Sequence, residues 1–461
     1  MLNRLQHNIT VGVPFFLVTL AATAVCGADP VNIGGHLELF VDDHLIADIQ
    51  GDVKQQVMQP EPREVVFETG EPWEGNTSGY YTVFEDEGLF RMIYRGWQHD
   101  EKMKAAHKEI TCYAESKDGV QWTKPKLGIF EWNGSKQNNI VWLGAGTHNF
   151  TAFRDSNPAA PAESKYKAFG GIGDYGKGLV PFSSPDCIHW TQTQEKPVIS
   201  HGAFDSQNLA FWDTDRKQYR AYWRYFSESK VRAIRTATST DFIHWENEAD
   251  LTYSEGTPDE HLYTNAVQKY FRAPHLFVGF PTRYEPESQQ VEPIFMSSRD
   301  GVHFRRYAEP VIPRTAPKDR NHNRSNYMVW GMFQLPNEPG EISVYGTENY
   351  YEKTPGRVRR FVYRVDGFVA LRAGADGGQI TTKPLAIEGK RLLLNYVVNS
   401  GGSLTVETLN NAGEVIGKSH PLAGDAIDAP VQWETSPPFS SANWQLRFTM
   451  KNADLYSIQI D

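Results

Sequence analysis

The chain reads as an all-β protein, a five-bladed β-propeller followed by a C-terminal β-sandwich, on three observations. A short turn signature returns four times. Between its copies run strand pairs of period two, and from Ala373 onward the signature stops while short strands continue.

The signature is Ser116 Lys117 Asp118 Gly119 Val120 Gln121 Trp122, repeated with variation from Ser184 to Trp190, from Ser239 to Trp245 and from Ser298 to Phe304. Its aspartates, Asp118, Asp186, Asp241 and Asp300, are 68, 55 and 59 residues apart, too wide for a helical solenoid repeat and slightly wider than common propeller blades, each copy reading as one blade's signature. Ser and Asp bond their own backbone and Gly, in two copies, supplies a positive φ, so each copy is a tight turn between strands. It is scaffold and carries no chemistry.

Residues 1–28 have the pattern of a secretory signal: Arg4 in a polar start, an apolar run from Val11 to Val25 broken by Pro14, and small residues before Asp29. The expectation is export to the periplasm or the extracellular space, without stable membrane insertion. If Cys26 leaves with that segment, Cys112 and Cys187 remain, too few for a disulfide framework and without zinc spacing. The formal charge of −10, with no Lys/Arg-rich block, argues against a nucleic-acid partner.

Residues 29–372 are expected to form the propeller. The leading run Leu37–Ile46 is the expected closing strand of the last blade. First and second strands are expected at Tyr80–Glu85 and Leu89–Trp97, Asn149–Arg154 and Tyr166–Ile172, Asn208–Trp212 and Tyr219–Tyr225, and Tyr263–Tyr270 and Leu276–Phe280. The fifth blade, which lacks the signature, takes Tyr327–Phe333, Ile342–Tyr350 and Arg359–Val365. Gly374–Gly378 reads as a linker to a sandwich over 373–461, with strands at Leu392–Val398, Leu404–Leu409, Gln445–Met450 and Leu455–Ile460 and a hairpin turn at Asn410–Gly413.

In a propeller, residues just before first strands and at the ends of second strands converge on one mouth, opposite the Ser-x-Asp turns. Aligning first strands puts Asp205 level with Glu260, with His261 beside it; the second blade carries His148 there, and the first offers Glu74 a few residues upstream. Arg95, Arg224, Arg283 and Glu348 end second strands, and Trp97 and Trp223 lie close enough to the mouth to stack on a sugar. Carboxylates sharing a mouth suit acid and base work on an acetal, since like charges push their pKa values apart. Asp155 in the Arg154-Asp155 pair aligns with Asp86 and Asp213 and reads as a turn residue.

On this repeat grammar and the five-blades-then-sandwich order, the chain resembles the five-bladed propeller glycosidases, glycoside hydrolase family 32 above all, with families 43 and 117. The resemblance implies a secreted hydrolase that cleaves a glycosidic bond in an oligo- or polysaccharide. Asp205-Ser206-Gln207 stands where that family has the Glu-Cys-Pro acid. The Arg-Asp-Pro aspartate would fall at His148 or Asn149, and Gly75–Gly79 replaces the nucleophile motif, with Glu74 the nearest acid. What survives implies Asp205 as acid with Glu260 or Glu74 as base, substrate contacts from His148, Arg95, Arg224, Arg283, Glu348, His261, Trp97 and Trp223, and no cofactor; some relatives hold a structural calcium in the channel. The alternative is a carbohydrate-binding propeller without catalysis, for which the missing nucleophile motif speaks.

Overall fold

The four Ser-x-Asp copies fold alike. Ser116 Oγ accepts the Gly119 amide and donates to Asp118 Oδ1, both at 2.9 Å, while Asp118 Oδ1 accepts the amides of Val120 and Gln121 at 2.9 and 2.7 Å. The same bonds recur at Ser184/Asp186, Ser239/Asp241 and Ser298/Asp300. The third residue after each Ser opening is left-handed, with φ of 70° at Gly119, 68° at Cys187, 69° at Phe242 and 79° at Gly301. For Cys187 and Phe242 that conformation costs about 1–2 kcal/mol, offset by side chains that are buried in the core.

These turns join the third and fourth strands of antiparallel meanders. The computed structural model describes residues 29–172, 177–314, 326–437 and 444–461, so the expected signal segment lies outside the described residues. The first meander runs through Gly79–Asp86, Leu89–Gly96, Ile110–Ser116 and Trp122–Thr123; the second through Thr151–Arg154, Tyr166–Ile172, Gly178–Ser184 and Thr191–Gln192. The third takes Leu209–Asp213, Gln218–Phe226, Arg232–Ser239 and Glu246–Asp250, and the fourth Gln268–Tyr270, Ala273–Gly279, Val291–Ser298 and His303–Pro310. The fifth has Met328–Phe333, Glu341–Glu348 and Arg357–Arg364, then Glu61–Glu68 as its outer strand. Most strand ends fall within two or three residues of their sequence expectations.

The five first strands surround one channel. Val83, Phe153, Phe211, Lys269 and Met332, one from each first strand or its edge, line a cavity of about 330 Å³ at its far end. Neighbouring meanders are clamped by aspartates at the ends of first strands. Asp86 accepts Tyr166 Oη at 2.6 Å and pairs with Lys165 and Arg154; Asp155 accepts Tyr219 Oη at 2.7 Å and pairs with Lys167; Asp213 pairs with Lys269 at 2.9 Å. Asp155 is therefore a turn residue and a structural clamp, as its alignment implies. Burial makes each clamp dependent on its cation, because an unpaired buried carboxylate is strongly unfavourable.

Two expectations give way here. Leu37–Ile46 does not close the fifth meander; Glu61–Glu68 does, pairing Val358 with Phe67 and Arg357 with Glu68. Within the earlier run Glu38–Leu39 is strand and pairs with Ser457 and Ile458 near the C-terminus, while Ile46 opens the next strand, Ile46–Val57. Nor is Gly374–Gly378 a free linker. It lies inside the strand Val369–Thr382, bulged between Ala373 and Gly378, which pairs on one side with Ile46–Val57 and on the other with Gln445–Ile460.

The C-terminal unit is an eight-stranded sheet in which expected neighbours merge. Leu392–Leu409 is one strand with a bulge between Val398 and Ser403, and Gln445–Ile460 is one strand of 16 residues. Its apolar core, including Phe40, Leu371, Leu394 and Phe448, draws on both ends of the chain. The Asn410–Gly413 turn is formed as expected, with Asn410 N donating to Glu414 O at 3.0 Å. Cys112 and Cys187 are both buried and free. Among the described residues no helix is long and apolar enough to cross a membrane.

Candidate active site

At the other end of the channel, away from the Ser-x-Asp turns, lies a cavity of about 320 Å³ lined by residues of all five meanders. First strands start here, second strands return here and third strands leave. The floor and walls are rich in tyrosine: Tyr80, Tyr263, Tyr284, Tyr327 and Tyr350 all reach it.

Asp205 sits four residues before its strand on a turn held from beneath. Asn149 Nδ2 donates to Phe204 O and to Ser206 O at 2.9 Å, Asn208 Nδ2 donates to the same two carbonyls, and Ser206 Oγ donates to Tyr263 O at 2.7 Å. The carboxylate so presented is the one carboxyl among the described residues lining this cavity. Its Oδ1 lies 3.0 Å from His148 Nε2 and accepts Tyr80 Oη at 3.2 Å; its Oδ2 accepts Tyr263 Oη at 3.5 Å and lies 3.9 Å from Arg224. Burial alone would raise the Asp205 pKa. The hydrogen bond and charge of His148, with the charges of Arg224 and Arg95, outweigh it and hold the group well below the usual carboxylate range.

His148 is fixed from behind. Its Nδ1 lies 2.7 Å from Glu109 Oε1, and Arg95 Nη1 lies 3.1 Å from the same ring nitrogen. Arg95 is itself anchored, donating to Thr77 O and Tyr350 Oη at 2.8 Å and stacking between the rings of Tyr80 and Trp97 at 4.8 and 4.9 Å. Tyr80 adopts φ 51°, an uncommon conformation for a bulky residue, and it is this backbone that turns its hydroxyl toward Asp205.

Of the residues expected at the mouth, Asp205, His148, Arg95 and Trp97 come together around the cavity. Arg224 stands behind Asp205, donating to Ala203 O at 3.0 Å. The others lie elsewhere. Glu260 is held by Arg283 at 3.1 Å and Arg306 at 3.3 Å, and Arg283 is further occupied by Glu292. Glu74 is fully buried below the first meander, paired with Lys124 at 2.6 Å and hydrogen-bonded by Tyr94. Burial raises its pKa, and Lys124 and Tyr94 only partly counter this. Glu348 is buried between Arg357 and Arg359, His261 bonds to Arg232, and Trp223 is a core residue whose Nε1 donates to His201 O. The expected pairing of Asp205 with Glu260 or Glu74 in one hollow is therefore not formed.

Sequence reasoning missed Glu109 and Arg232. Glu109 immediately precedes its meander's third strand and Arg232 opens its own. These ends also face the mouth, so the positions that open third strands were the signal to follow. Among the described residues no group of three or more His, Cys, Asp or Glu side chains is placed to hold a metal ion.

No protein-family model matches the chain, and no curated protein is similar to it in sequence. Solved structures resemble it distantly. A glycoside hydrolase is 14% identical with a TM-score of 0.48, over 66% of this chain and 92% of that one. A family 43 arabinoxylan arabinofuranohydrolase from Bacillus subtilis, in complex with cellotetraose, is 11% identical with a TM-score of 0.44, over 87% and 99%. A family 32 β-fructofuranosidase from Bombyx mori, in complex with sucrose, is 9% identical with a TM-score of 0.42, over 86% and 93%. Likeness at this level leaves the function to be argued from the cavity itself.

Proposed function

We propose that the protein is a glycoside hydrolase of divergent site, acting on a carbohydrate bound in the tyrosine-lined cavity with Asp205 as its reacting carboxylate. The observation that carries this reading is the Asp205–His148–Glu109 chain, in which a carboxylate open to the cavity is tied to an imidazole backed by a second carboxylate. Held ionised, Asp205 suits a base or nucleophile at an anomeric centre, where positive charge develops in the transition state, and does not suit the acid role assigned to it from sequence. His148 is the titratable group placed to exchange a proton beside it, and Glu109 and Arg95 fix its ring.

The fold reading that goes with this is a ring of five blades, whose central channel opens at Asp205, joined to a sandwich-like C-terminal unit. Export, argued from the pattern of residues 1–28, belongs to the same reading. A second reading, carbohydrate binding without catalysis, is favoured by one observation: the other candidate carboxylates, Glu260 and Glu74, are each held in their own cation pairs.

The test is to present the purified protein and its D205N variant to a panel of plant and algal oligo- and polysaccharides, following reducing ends and binding. Release by wild type that D205N abolishes supports hydrolysis. Binding without release by either protein supports the second reading, and equal release by both defeats the first.

A further inference from the structure

Arg232 differs from the other arginines around the cavity. Arg95 has Glu109 at 3.7 Å, Arg224 has Asp205 at 3.9 Å, and Arg283 holds Glu260 and Glu292. Arg232 lines the cavity, yet no carboxylate among the described residues forms an ion pair with it. Its hydrogen-bond partner is His261, whose Nδ1 accepts the Arg232 amide and lies 3.2 Å from Nη1. Burial, with the adjacent guanidinium second, lowers the His261 pKa, and that partner brings no negative charge. The Nε of Arg232 is buried without a partner.

The rest of its surroundings is aromatic. The Arg232 Cζ lies 4.7 Å from the Tyr284 ring centroid, 5.4 Å from Tyr263 and 5.5 Å from Phe226. Such rings fix the half-buried guanidinium by cation–π contact but supply no counter-charge.

We propose that Arg232 is the specificity-determining residue for an acidic sugar, binding a carboxylate or sulfate group of the substrate through its planar fork. This rests on the cavity being the carbohydrate site. The chemistry the two anions share is a pair of oxygens at the spacing a guanidinium bonds in parallel, which the hydroxyls of a neutral sugar match less well and without charge. Tyr263 sets the distance: its ring packs on Arg232 and its hydroxyl donates to Asp205. One tyrosine therefore separates the anion-binding group from the reacting carboxylate, and the acidic sugar is the residue seated at Asp205 or its immediate neighbour.

The experiment measures binding of D-galacturonate, D-glucuronate, glucose 6-sulfate and D-galactose to the full chain by calorimetry and thermal shift, for wild type, R232Q, R232K and D205N. At least one acidic sugar should bind wild type about tenfold or more tightly than galactose, with the uronate and sulfate arms telling the two anions apart. R232Q should abolish that ratio. R232K, which keeps the charge but not the fork, should retain part of it and serves if R232Q does not fold. Galactose binding wild type as tightly as every acid, no probe binding at all, or an unchanged ratio in folded R232Q would each overturn the proposal. If instead D205N cleaves a panel substrate at the wild-type rate while the acid preference stands, it is the hydrolase reading that falls.

Discussion

Replacing Lys124 by Met tests whether Glu74 belongs to the scaffold or to the chemistry. Glu74 has a fully buried side chain whose Oε2 meets Lys124 Nζ at 2.6 Å and accepts the Glu71 amide at 3.0 Å, while its Oε1 accepts Tyr94 Oη. Removing one partner of a buried pair costs about 3–5 kcal/mol. The Lys124 side chain is 19% exposed, so a loss at or just below the low end of that range, about 2–3 kcal/mol, applies here. At roughly 2–4 °C per kcal/mol for domains of this size class, the melting temperature should fall by roughly 5–10 °C. E74Q should cost about 1–3 kcal/mol: the amide oxygen still accepts Tyr94 and a charge whose burial is unfavourable is gone, but the amide nitrogen leaves the Glu71 N–H and Lys124 without their acceptor.

The pH dependence has a definite sign. A carboxyl whose folded pKa is raised contributes stability fully below its unfolded value of about 4.3 and loses that contribution as pH rises through the folded value. Met at 124 raises the folded value further, so the K124M deficit should widen from pH 5 to pH 7.5. Urea unfolding at the two pH values, beside a reducing-end assay, measures both effects. E74Q that loses turnover with its melt unchanged, or K124M that unfolds like wild type, would refute the reasoning and return Glu74 to the chemistry.

D205N should lower turnover by about 10²–10⁴-fold with the fold intact, measured by initial rates. Because the folded Asp205 pKa is depressed, its stabilising contribution is present above the unfolded value of about 3.9 and lost as pH falls below it; D205N should flatten the acid arm of the stability curve, read by urea melts from about pH 4.5 down to about pH 2. The two tryptophans expected to stack should separate: W223A should lose about 3–5 kcal/mol of stability, since Trp223 is buried in the core, while W97A, which removes a half-buried ring against Arg95 and His99, should lose less, about 1–2 kcal/mol, and raise KM by about tenfold. F242G would relieve a left-handed backbone costing about 1–2 kcal/mol but remove a ring stacked on Phe169 at 4.7 Å. The lost burial, about 3–5 kcal/mol, wins, and calorimetry should show net destabilisation.

The meanders were legible because their strands alternate and their turns are spelled out in side chains that bond their own backbone. Gln218–Phe226 and Glu341–Glu348 needed nothing more. The closing strand was not legible, because Glu61–Glu68 carries a proline and four charged residues, a composition suited to an outer edge and unlike a core strand. Ile46–Val57 is polar and largely exposed on one face, so its pairing depends on a partner more than 300 residues away. In the site, Asp205 was found by counting back from a strand start, and Glu260 was misplaced by the same count. The fourth meander's first strand begins at Gln268, and the residue at the Asp205 level is Thr264, which lines the cavity. Arg232 and Glu109 lie in a part of each meander that alignment by first strands does not reach.

Residues 46–57 and 61–68 are separated by three positions, yet one edges the C-terminal sheet and the other closes the fifth meander. Ribosomal synthesis thus delivers both seams near the beginning and their mates, Val369–Thr382 and Arg357–Arg364, near the end. Until roughly the last fifth of the polypeptide emerges, two sticky margins stay unzipped, a topology that favours slow maturation and punishes premature release. Severing the protein at 372 would leave residues 46–53 without their mates, so the two units are better handled as one object.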